Sequence, residues 1–225
     1  MIIEKNMKKN FLARLMKLFF GNLLFAVGIV VTMQTDLGYA PWDVFHAGIS
    51  KTTGIPIGTA SIIVGVTIST VTLLFKEKIG LGTILNIVLV GVMINLFVMI
   101  NPLPKVKEVI PGVAIIVAGL FIVAFASYFY FSSGFGMGPR DSLMVVLVRR
   151  TKLPVGVCRG ILEGLAVLVG WLLGGPVGIG TIAAAFGISL CVQLVFSMLK
   201  FDSTSVKHEN IDETFRNSAE LFKRS

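Results

Sequence analysis

The chain has 225 residues, of which 55% are hydrophobic and only 14% are charged, and its mean hydropathy is +0.88. An ordinary soluble domain carries about 25% charged residues, so this composition excludes a soluble fold and predicts an integral membrane protein. The formal net charge is +8. Basic residues that flank membrane spans set the orientation of the protein in the bilayer. We therefore attribute the positive charge to this role and not to a nucleic-acid partner.

Six apolar stretches are long enough to cross a bilayer, which takes roughly 20 residues of helix. They cover residues 16–34, 57–75, 81–100, 110–132, 156–175 and 180–199. The first follows a basic N-terminus without a small-residue cleavage site, so we expect an uncleaved span. Residues 41–53 and 139–152 are helix-like but too short to cross, and each predicts a re-entrant or interfacial half-helix.

The basic residues predict which ends of the spans face the cytoplasm. Lys and Arg cluster before the first span and after the second, fourth and sixth, whereas the other side carries few. The positive-inside rule then places both termini in the cytoplasm. The predicted segments are a basic N-terminus (1–15), two membrane units (16–108 and 109–200) and a polar cytoplasmic tail (201–225). In the tail, Asn210 and Glu213 have the spacing of a helix capping box.

The two membrane units repeat one another. When the sequence is aligned with itself at a constant offset of 98 residues, glycine, proline and aspartate residues match identical residues, as in Gly38–Gly136, Pro41–Pro139 and Asp43–Asp141. Because each unit has three spans, an odd number, the second unit must have the opposite orientation in the membrane. The predicted fold is all-α and polytopic, with six transmembrane helices as two inverted three-helix repeats, each with one short half-helix. Many secondary transporters are built in this way.

Each half-helix begins with a motif of turn residues, Gly38-Tyr-Ala-Pro-Trp-Asp43 in the first repeat and Gly136-Met-Gly-Pro-Arg-Asp141 in the second. Glycine permits a sharp turn, proline suits the first helical position, and aspartate favours the positive end of the helix. The motifs are either simple helix caps or the lining of a substrate path from opposite sides. Arg140 is the residue of the second repeat that matches Trp42 of the first. Its cation either binds an anionic solute or fixes the orientation of the helix in the membrane.

Two opposite charges lie within the fifth apolar stretch. Arg159 and Glu163 are four residues apart, so they share a helix face and can pair. Charges within a span are costly and usually face a cavity or a partner, so the pair marks a substrate site or a structural helix contact. Asn95 and Gln193 occupy matched positions and predict a symmetric helix contact or a symmetric site. The candidate substrate-binding residues are Trp42, Asp43, Asn95, Arg140, Asp141, Arg159, Glu163 and Gln193.

Three segments, 38–50, 136–144 and 170–181, resemble the bacterial YczE-like membrane proteins, which are similar to the broader YitT-like group. The resemblance covers roughly residues 15–200. It implies a multi-pass protein of the bacterial plasma membrane, and it implies neither a substrate nor catalytic residues.

We expect a secondary transporter or permease for a small solute, which works by alternating access around a site near the middle of the membrane. The alternative is a non-transporting accessory, sensor or assembly protein, in which the motifs are only the turns of a compact bundle. An enzyme is not expected, because the sequence has no HExxH motif, no clustered histidines and no recognisable nucleophile–base set. Cys158 and Cys191 lie apart in apolar stretches. We therefore predict no metal and no cofactor, with the lipid bilayer as surroundings and a small solute or a second copy of the chain as candidate partners.

Overall fold

The computed structural model of this chain describes residues 2–100 and 105–223. Within these residues the helices are α1 (Ile2–Thr32), α2 (Pro41–Thr53), α3 (Ile57–Leu74), α4 (Leu81–Ile100), α5 (Val109–Ser133), α6 (Pro139–Thr151), α7 (Val155–Leu172), α8 (Ile179–Met198) and α9 (Ile211–Lys223). Six helices in this part of the chain are long and apolar enough to cross a bilayer: α1 from Phe11 onward, α3, α4, α5, α7 and α8. The predicted all-α, polytopic fold is confirmed. The outermost residues of the predicted N-terminal segment and tail, 1 and 224–225, and residues 101–104 of the first unit lie outside the described residues.

The helix ends follow from local chemistry. α2 and α6 each start with a proline at the first helical position, where no amide hydrogen is needed. They end at residues in the left-handed conformation, Gly54 (φ 77°) and Lys152 (φ 58°). α7 ends at Leu172, before the predicted residue 175, because Gly174 takes a φ of 83° and Pro176 follows.

α1 and α5 pack against each other in antiparallel orientation. Gly21 of α1 lies against Ala126 of α5, and Gly28 lies against Gly119, so a Cβ atom at Gly21 would come within 3.1 Å of the Ala126 carbonyl oxygen. Small residues let helix backbones approach closely, which is a main source of helix association in lipid. α4 then packs on α1, and α8 packs on α5.

Each short helix packs against a helix from the other half of the chain. α2 lies against α7, where a Cβ atom at Gly170 would come within 2.6 Å of the Phe45 Cα. α6 lies against α3. The interior is therefore enclosed by elements from both halves.

The two halves differ in how their last two helices pack. α3 packs along α4, where the Gly58 amide donates to Asn95 Oδ1 over 2.7 Å and Asn95 Nδ2 donates to Thr59 Oγ1 over 2.9 Å. α7 and α8, both fully described, barely touch one another. A Cβ atom at Gly156 or Gly160 of α7 would meet no atom of the described part of the chain within 4 Å. The bundle is thus closed between α3 and α4 and open between α7 and α8.

The links between helices gather on two opposite faces. One face, here called the tail face, carries the α3–α4, α5–α6 and α6–α7 links together with residues 199–223. There Arg14 Nη1 lies 2.8 Å from Glu209 Oε1, and the Glu209 amide donates to the Gly134 carbonyl over 2.8 Å. The opposite face, here called the loop face, carries the α1–α2, α4–α5 and α7–α8 links. Thr35 and Val106 form a β-bridge on this face.

The tail helix α9 starts as the Asn210–Glu213 spacing predicts. The Glu213 amide donates to Asn210 Oδ1 over 2.8 Å, and the Asn210 amide donates to Glu213 Oε2 over 3.1 Å. The predicted capping box is confirmed. The Ile211 amide also donates to the Ile79 carbonyl over 3.1 Å, so the tail is docked on the link between α3 and α4.

Acidification should loosen this docked tail. His208 packs beside Phe131, with ring centroids 6.1 Å apart, and burial lowers the pKa of its imidazole below the ordinary value of 6.5. The docked state disfavours the protonated ring, so docking is strongest above about pH 6.5 and weakens as the pH falls below that value. We expect the α9 amides to exchange faster at about pH 5 than at about pH 7.5, after correction for intrinsic rates. His208→Gln should remove the difference, and equal protection at both pH values in the unchanged protein would contradict the prediction.

Candidate functional site

A cavity of about 280 Å³ lies inside the bundle, and every helix from α1 to α8 contributes to its wall. Much of the wall is apolar, with side chains such as Phe25, Val64, Leu120 and Ile188. Polar, charged and aromatic side chains interrupt it: Trp42, Asp43, His46, Ser61, Asn86, Ser127, Tyr130, Arg140, Asp141, Arg159 and Glu163. An apolar cavity with a few convergent polar groups is the usual form of a small-molecule site.

Two matched backbone contacts hold the turns that lead into the short helices. The Gly180 amide donates to the Leu37 carbonyl over 2.7 Å, and the Gly82 amide donates to the Phe135 carbonyl over 2.7 Å. Gly38 takes a φ of 100° in the first of these turns, a conformation that glycine adopts readily and other residues do not. The start of each short helix is therefore fixed to the start of a long helix from the other half.

The starts of α2 and α6 meet in the cavity. Arg140 Cζ lies 5.0 Å from the centroid of the Trp42 ring, within the range of a cation–π contact. Asp43 and Asp141 lie in the first turns of the two helices, where the positive end of the helix dipole stabilises a carboxylate. The matched positions Trp42 and Arg140, where the repeats differ in chemistry, are thus in contact with each other.

Arg159 and Glu163 form the ion pair that their spacing predicts. Arg159 Nε donates to Glu163 Oε1 over 2.8 Å, and both side chains line the cavity. The Arg159 side chain keeps 43% of its surface exposed and that of Glu163 keeps 17%. The matched residues on α3, Ser61 and Gly65, are small and also line the cavity, so the pair projects into open space.

Neutralising one member of this pair should harm the protein more than neutralising both. Glu163→Gln or Arg159→Gln leaves one charge inside the membrane without its partner. Breaking a fully buried pair costs about 3–5 kcal/mol; because Arg159 is partly exposed, we expect about 1–2 kcal/mol for each single variant and less for the double variant. Thermal melting of the purified variants measures this, and equal stability of all three would contradict the prediction.

His46 also lines the cavity, although it is not among the eight residues predicted from the sequence. It lies one helical turn after Asp43 on α2, and its Nδ1 is 3.5 Å from Asp43 Oδ1. Both side chains are almost completely buried. The available signal was the spacing of three residues, which places an acid and a histidine on one helix face.

Asn95 and Gln193, the matched amides, lie in different surroundings and do not line the cavity. Asn95 is occupied by its hydrogen bonds to Gly58 and Thr59 in the α3–α4 contact. Gln193 is exposed on the outside of α8. Asn86 lines the cavity, and its Nδ2 donates to Asn22 Oδ1 over 2.8 Å. The structure therefore brings six of the eight candidate residues together and places these two elsewhere.

The cavity provides groups for binding a polar or charged solute. Two guanidinium groups and three carboxyl groups face it, together with two helix starts whose dipoles favour negative charge. Among residues 2–100 and 105–223, no three side chains of His, Cys, Asp or Glu come together to hold a metal ion. The arrangement is therefore suited to recognition by charge, hydrogen bonding and ring stacking.

Comparison with other proteins identifies relatives along most of the chain. It is 34% identical over 189 residues to "Uncharacterized membrane protein YczE" of Bacillus subtilis. The aligned residues cover 83% of this chain and 87% of that protein. It is 32% identical over 182 residues to an "Uncharacterized protein" of Haemophilus influenzae, with 79% and 83% covered. Another relative is "Uncharacterized protein YyaS" of Bacillus subtilis, 27% identical over 165 residues, with 72% and 82% covered.

No solved structure matches this chain. A family profile described as "Family of unknown function (DUF6198)" matches residues 12–197, which include all six apolar helices except the start of the first and the last residue of the sixth. The protein is therefore a multi-pass membrane protein that belongs to the DUF6198 family and is similar to YczE.

Proposed function

We propose that this protein is a secondary transporter or permease that moves a small polar solute by alternating access around the cavity between α2 and α6. The observation that carries the proposal is the set of charged side chains from α2, α6 and α7 that face one cavity inside an apolar bundle. Ionisable residues at such positions are costly and typically mark a solute or ion pathway. The proposal assigns binding and translocation to these residues, with no chemical step.

An inverted repeat with two re-entrant half-helices is part of this proposal. α6, α7 and α8 begin and end 98 residues after α2, α3 and α4. At the same offset, Gly21 matches Gly119 and Gly28 matches Ala126. The contact of Gly21 with Ala126 therefore corresponds to the contact of Gly119 with Gly28, and both contacts join the antiparallel helices α1 and α5. A two-fold axis in the membrane plane relates antiparallel helices in this way, which supports inversion of the second repeat.

The tail face is assigned to the cytoplasm of a bacterial cell, with both termini on that side. Basic residues cluster in the tail-face links, whereas the α7–α8 link on the loop face carries none. The positive-inside rule supports this orientation in the plasma membrane. The opening between α7 and α8 then makes this conformation one in which the cavity faces the cytoplasm.

The difference between the two halves supports alternating access. Gly58, Thr59 and Asn95 close α3 on α4 at the loop-face end. The matched residues Gly156, Val157 and Gln193 are apart and exposed, at the tail-face end of α7 and α8. In an inverted-repeat transporter, the second state follows when the halves exchange conformations. We therefore assign the second state an α7–α8 contact through these residues and an opening between α3 and α4.

A flux measurement tests the proposal. The purified protein is reconstituted into liposomes, loaded with one unlabelled metabolite from a panel of amino acids, carboxylates, amines and sugars, and assayed for counterflow of the labelled compound. We expect counterflow of one chemical class that carries an anionic group, reduced about ten- to a hundredfold in Arg140→Met, because that variant removes the cation at the meeting point of both helices. Gly164→Ala, which adds a methyl group where none of the described residues has an atom within 4 Å, is the matched control and should transport normally. Counterflow no faster than in protein-free liposomes across the panel would favour a non-transporting accessory, sensor or assembly role.

A further inference from the structure

The pair formed by Asp43 and His46 is distinct from the other charges in the cavity. The exposed fraction of the side chain is 4% for Asp43 and 2% for His46, whereas the Arg159 side chain keeps 43%. Both residues of the pair nevertheless border the cavity. The second repeat has Asp141 and Met144 at the matched positions, so of the two short helices α2 alone carries an aspartate and a histidine one turn apart.

The pair is held close but is not joined by a good hydrogen bond. His46 Nδ1 and Asp43 Oδ1 are 3.5 Å apart, and Asp43 Oδ1 has no hydrogen-bond partner among the residues that the structure describes. A buried acceptor without a donor is costly. Only the imidazolium form carries a hydrogen on both ring nitrogens, so a proton added to His46 supplies a donor at Nδ1 whichever nitrogen was protonated before. The resulting charge-assisted bond is stronger and shorter than a neutral one.

The other ionisable groups around the pair come from defined elements. Arg140 of α6 faces both residues and opposes a second positive charge, and Tyr39, just before α2, faces Asp43. α3, which packs on α2, contains no ionisable side chain. Arg159 and Glu163 of α7 border the same cavity but are paired with each other. Asp141 of α6 also borders the cavity, beside Arg140 in the chain. Among the described residues, Asp43 is the carboxylate within 4 Å of His46 and is therefore the one available to its protonated ring.

We propose that Asp43 and His46 form a proton-binding site through which this protein couples solute movement to protons, an inference that rests on the proposed transport function. A hydronium ion in water that enters the cavity gives its proton to the His46 imidazole and leaves water, and the imidazolium donates to Asp43 Oδ1. Release reverses the same step when the cavity faces the other side. Acid and histidine groups within membrane bundles serve as proton relays in pumps and transporters.

Protonation of His46 also changes the solute side of the cavity. Once Asp43 accepts a hydrogen bond from the imidazolium, it shields Arg140 less. The Arg140 guanidinium, 5.0 Å from the Trp42 ring centroid, then becomes more available to a solute. Trp42 lies next to Asp43 in the chain, so a single helical turn connects the proton site to the ring–cation contact. This gives a direct physical route from proton binding to solute binding.

The experiment uses the full chain in lipid nanodiscs with 15N-labelled histidine. The sequence has two histidines, so His208→Gln leaves the ring-nitrogen signal of His46 alone to be followed. We expect this signal to pass reversibly from neutral imidazole to imidazolium as the pH is lowered from about 9 to about 4.5. In Asp43→Asn the midpoint should move down by about one pH unit, a tenfold weaker proton affinity, because a neutral amide stabilises the imidazolium less. A His46 signal that does not titrate between about pH 4.5 and 9 overturns the proposal, and this test needs no variant of the pair.

The outcome separates the proton site from transport itself. If a solute shows counterflow but its net uptake neither responds to an imposed pH gradient nor changes in His46→Gln, transport stands and proton coupling is refuted. If His46 titrates as expected and the titration depends on Asp43, the proton site stands even where no panel compound is transported. A titration that is identical in Asp43→Asn refutes the pair as a unit.

Discussion

Cross-linking α7 to α8 should stop transport completely, and reduction should restore it. The pair Val157→Cys with Gln193→Cys occupies the positions that match Thr59 and Asn95, which are hydrogen-bonded in the closed α3–α4 contact. In the second state proposed above, these positions come together, so a disulfide or a short thiol cross-linker traps that state. A transporter held in one state cannot complete its cycle, so the expected loss of flux is total.

The control is the matched pair Thr59→Cys with Asn95→Cys. These residues are already in contact, so this pair should cross-link rapidly in the resting protein, whereas the α7–α8 pair should react slowly. Both experiments use a background in which Cys158 and Cys191, two buried free thiols, are replaced by alanine. Failure of the α7–α8 pair to cross-link under transporting conditions, or undiminished flux through the cross-linked protein, would rule out the exchange of conformations between the halves.

Replacing Gly38 or Gly136 by alanine should strongly destabilise the folded protein. A Cβ atom at Gly38 would come within 2.7 Å of Thr181 Oγ1, and one at Gly136 would come within 2.7 Å of the Gly80 Cα. Both glycines also have left-handed φ values, 100° and 115°. Strain of about 1–3 kcal/mol and overpacking of about 1–3 kcal/mol together make about 2–6 kcal/mol, a large fraction of the roughly 5–15 kcal/mol by which folded proteins are stable. Size-exclusion profiles and melting temperatures of the detergent-solubilised variants measure the loss.

Two other glycines separate strain from crowding. Gly54 has a φ of 77°, but a Cβ atom there would meet no atom of residues 2–100 and 105–223 within 4 Å, so Gly54→Ala should show the cost of strain alone. Gly160 has open space and a helical backbone, so Gly160→Ala should be close to neutral. If Gly38→Ala melts at the same temperature as Gly160→Ala, the close contact between the turns does not stabilise the protein.

Several features of the site could be predicted because they depend on residues close in the chain. Arg159 and Glu163 pair because four residues make about one helical turn, and the ion pair is present as expected. Asn210 and Glu213 are three residues apart, and the capping box that they form at the start of α9 is equally local in the chain. His46 and Asp43 also lie about one helical turn apart, but no pattern in the sequence predicts that this face of α2 is buried against a cavity.

Features that depend on packing between distant residues could not be predicted. Asn95 and Gln193 are matched in the sequence, yet one is hydrogen-bonded between α3 and α4 and the other is exposed on α8. Their difference follows from the separation of α7 from α8, which no local pattern encodes. The contact of Arg140 with Trp42 likewise joins residues 98 positions apart.

The sequence by itself determined the membrane class, the six apolar helices and the positions of the two short helices. Hydropathy and the backbone preferences of proline and glycine act within one segment, so a segment's own residues are sufficient to reveal them. Only the tertiary structure decided which charged groups face one cavity, which residues lie outside it and where the bundle is open. Those properties arise when helices from both halves pack together, and the packing surface of a membrane helix carries little signal because lipid and neighbouring helices are equally apolar.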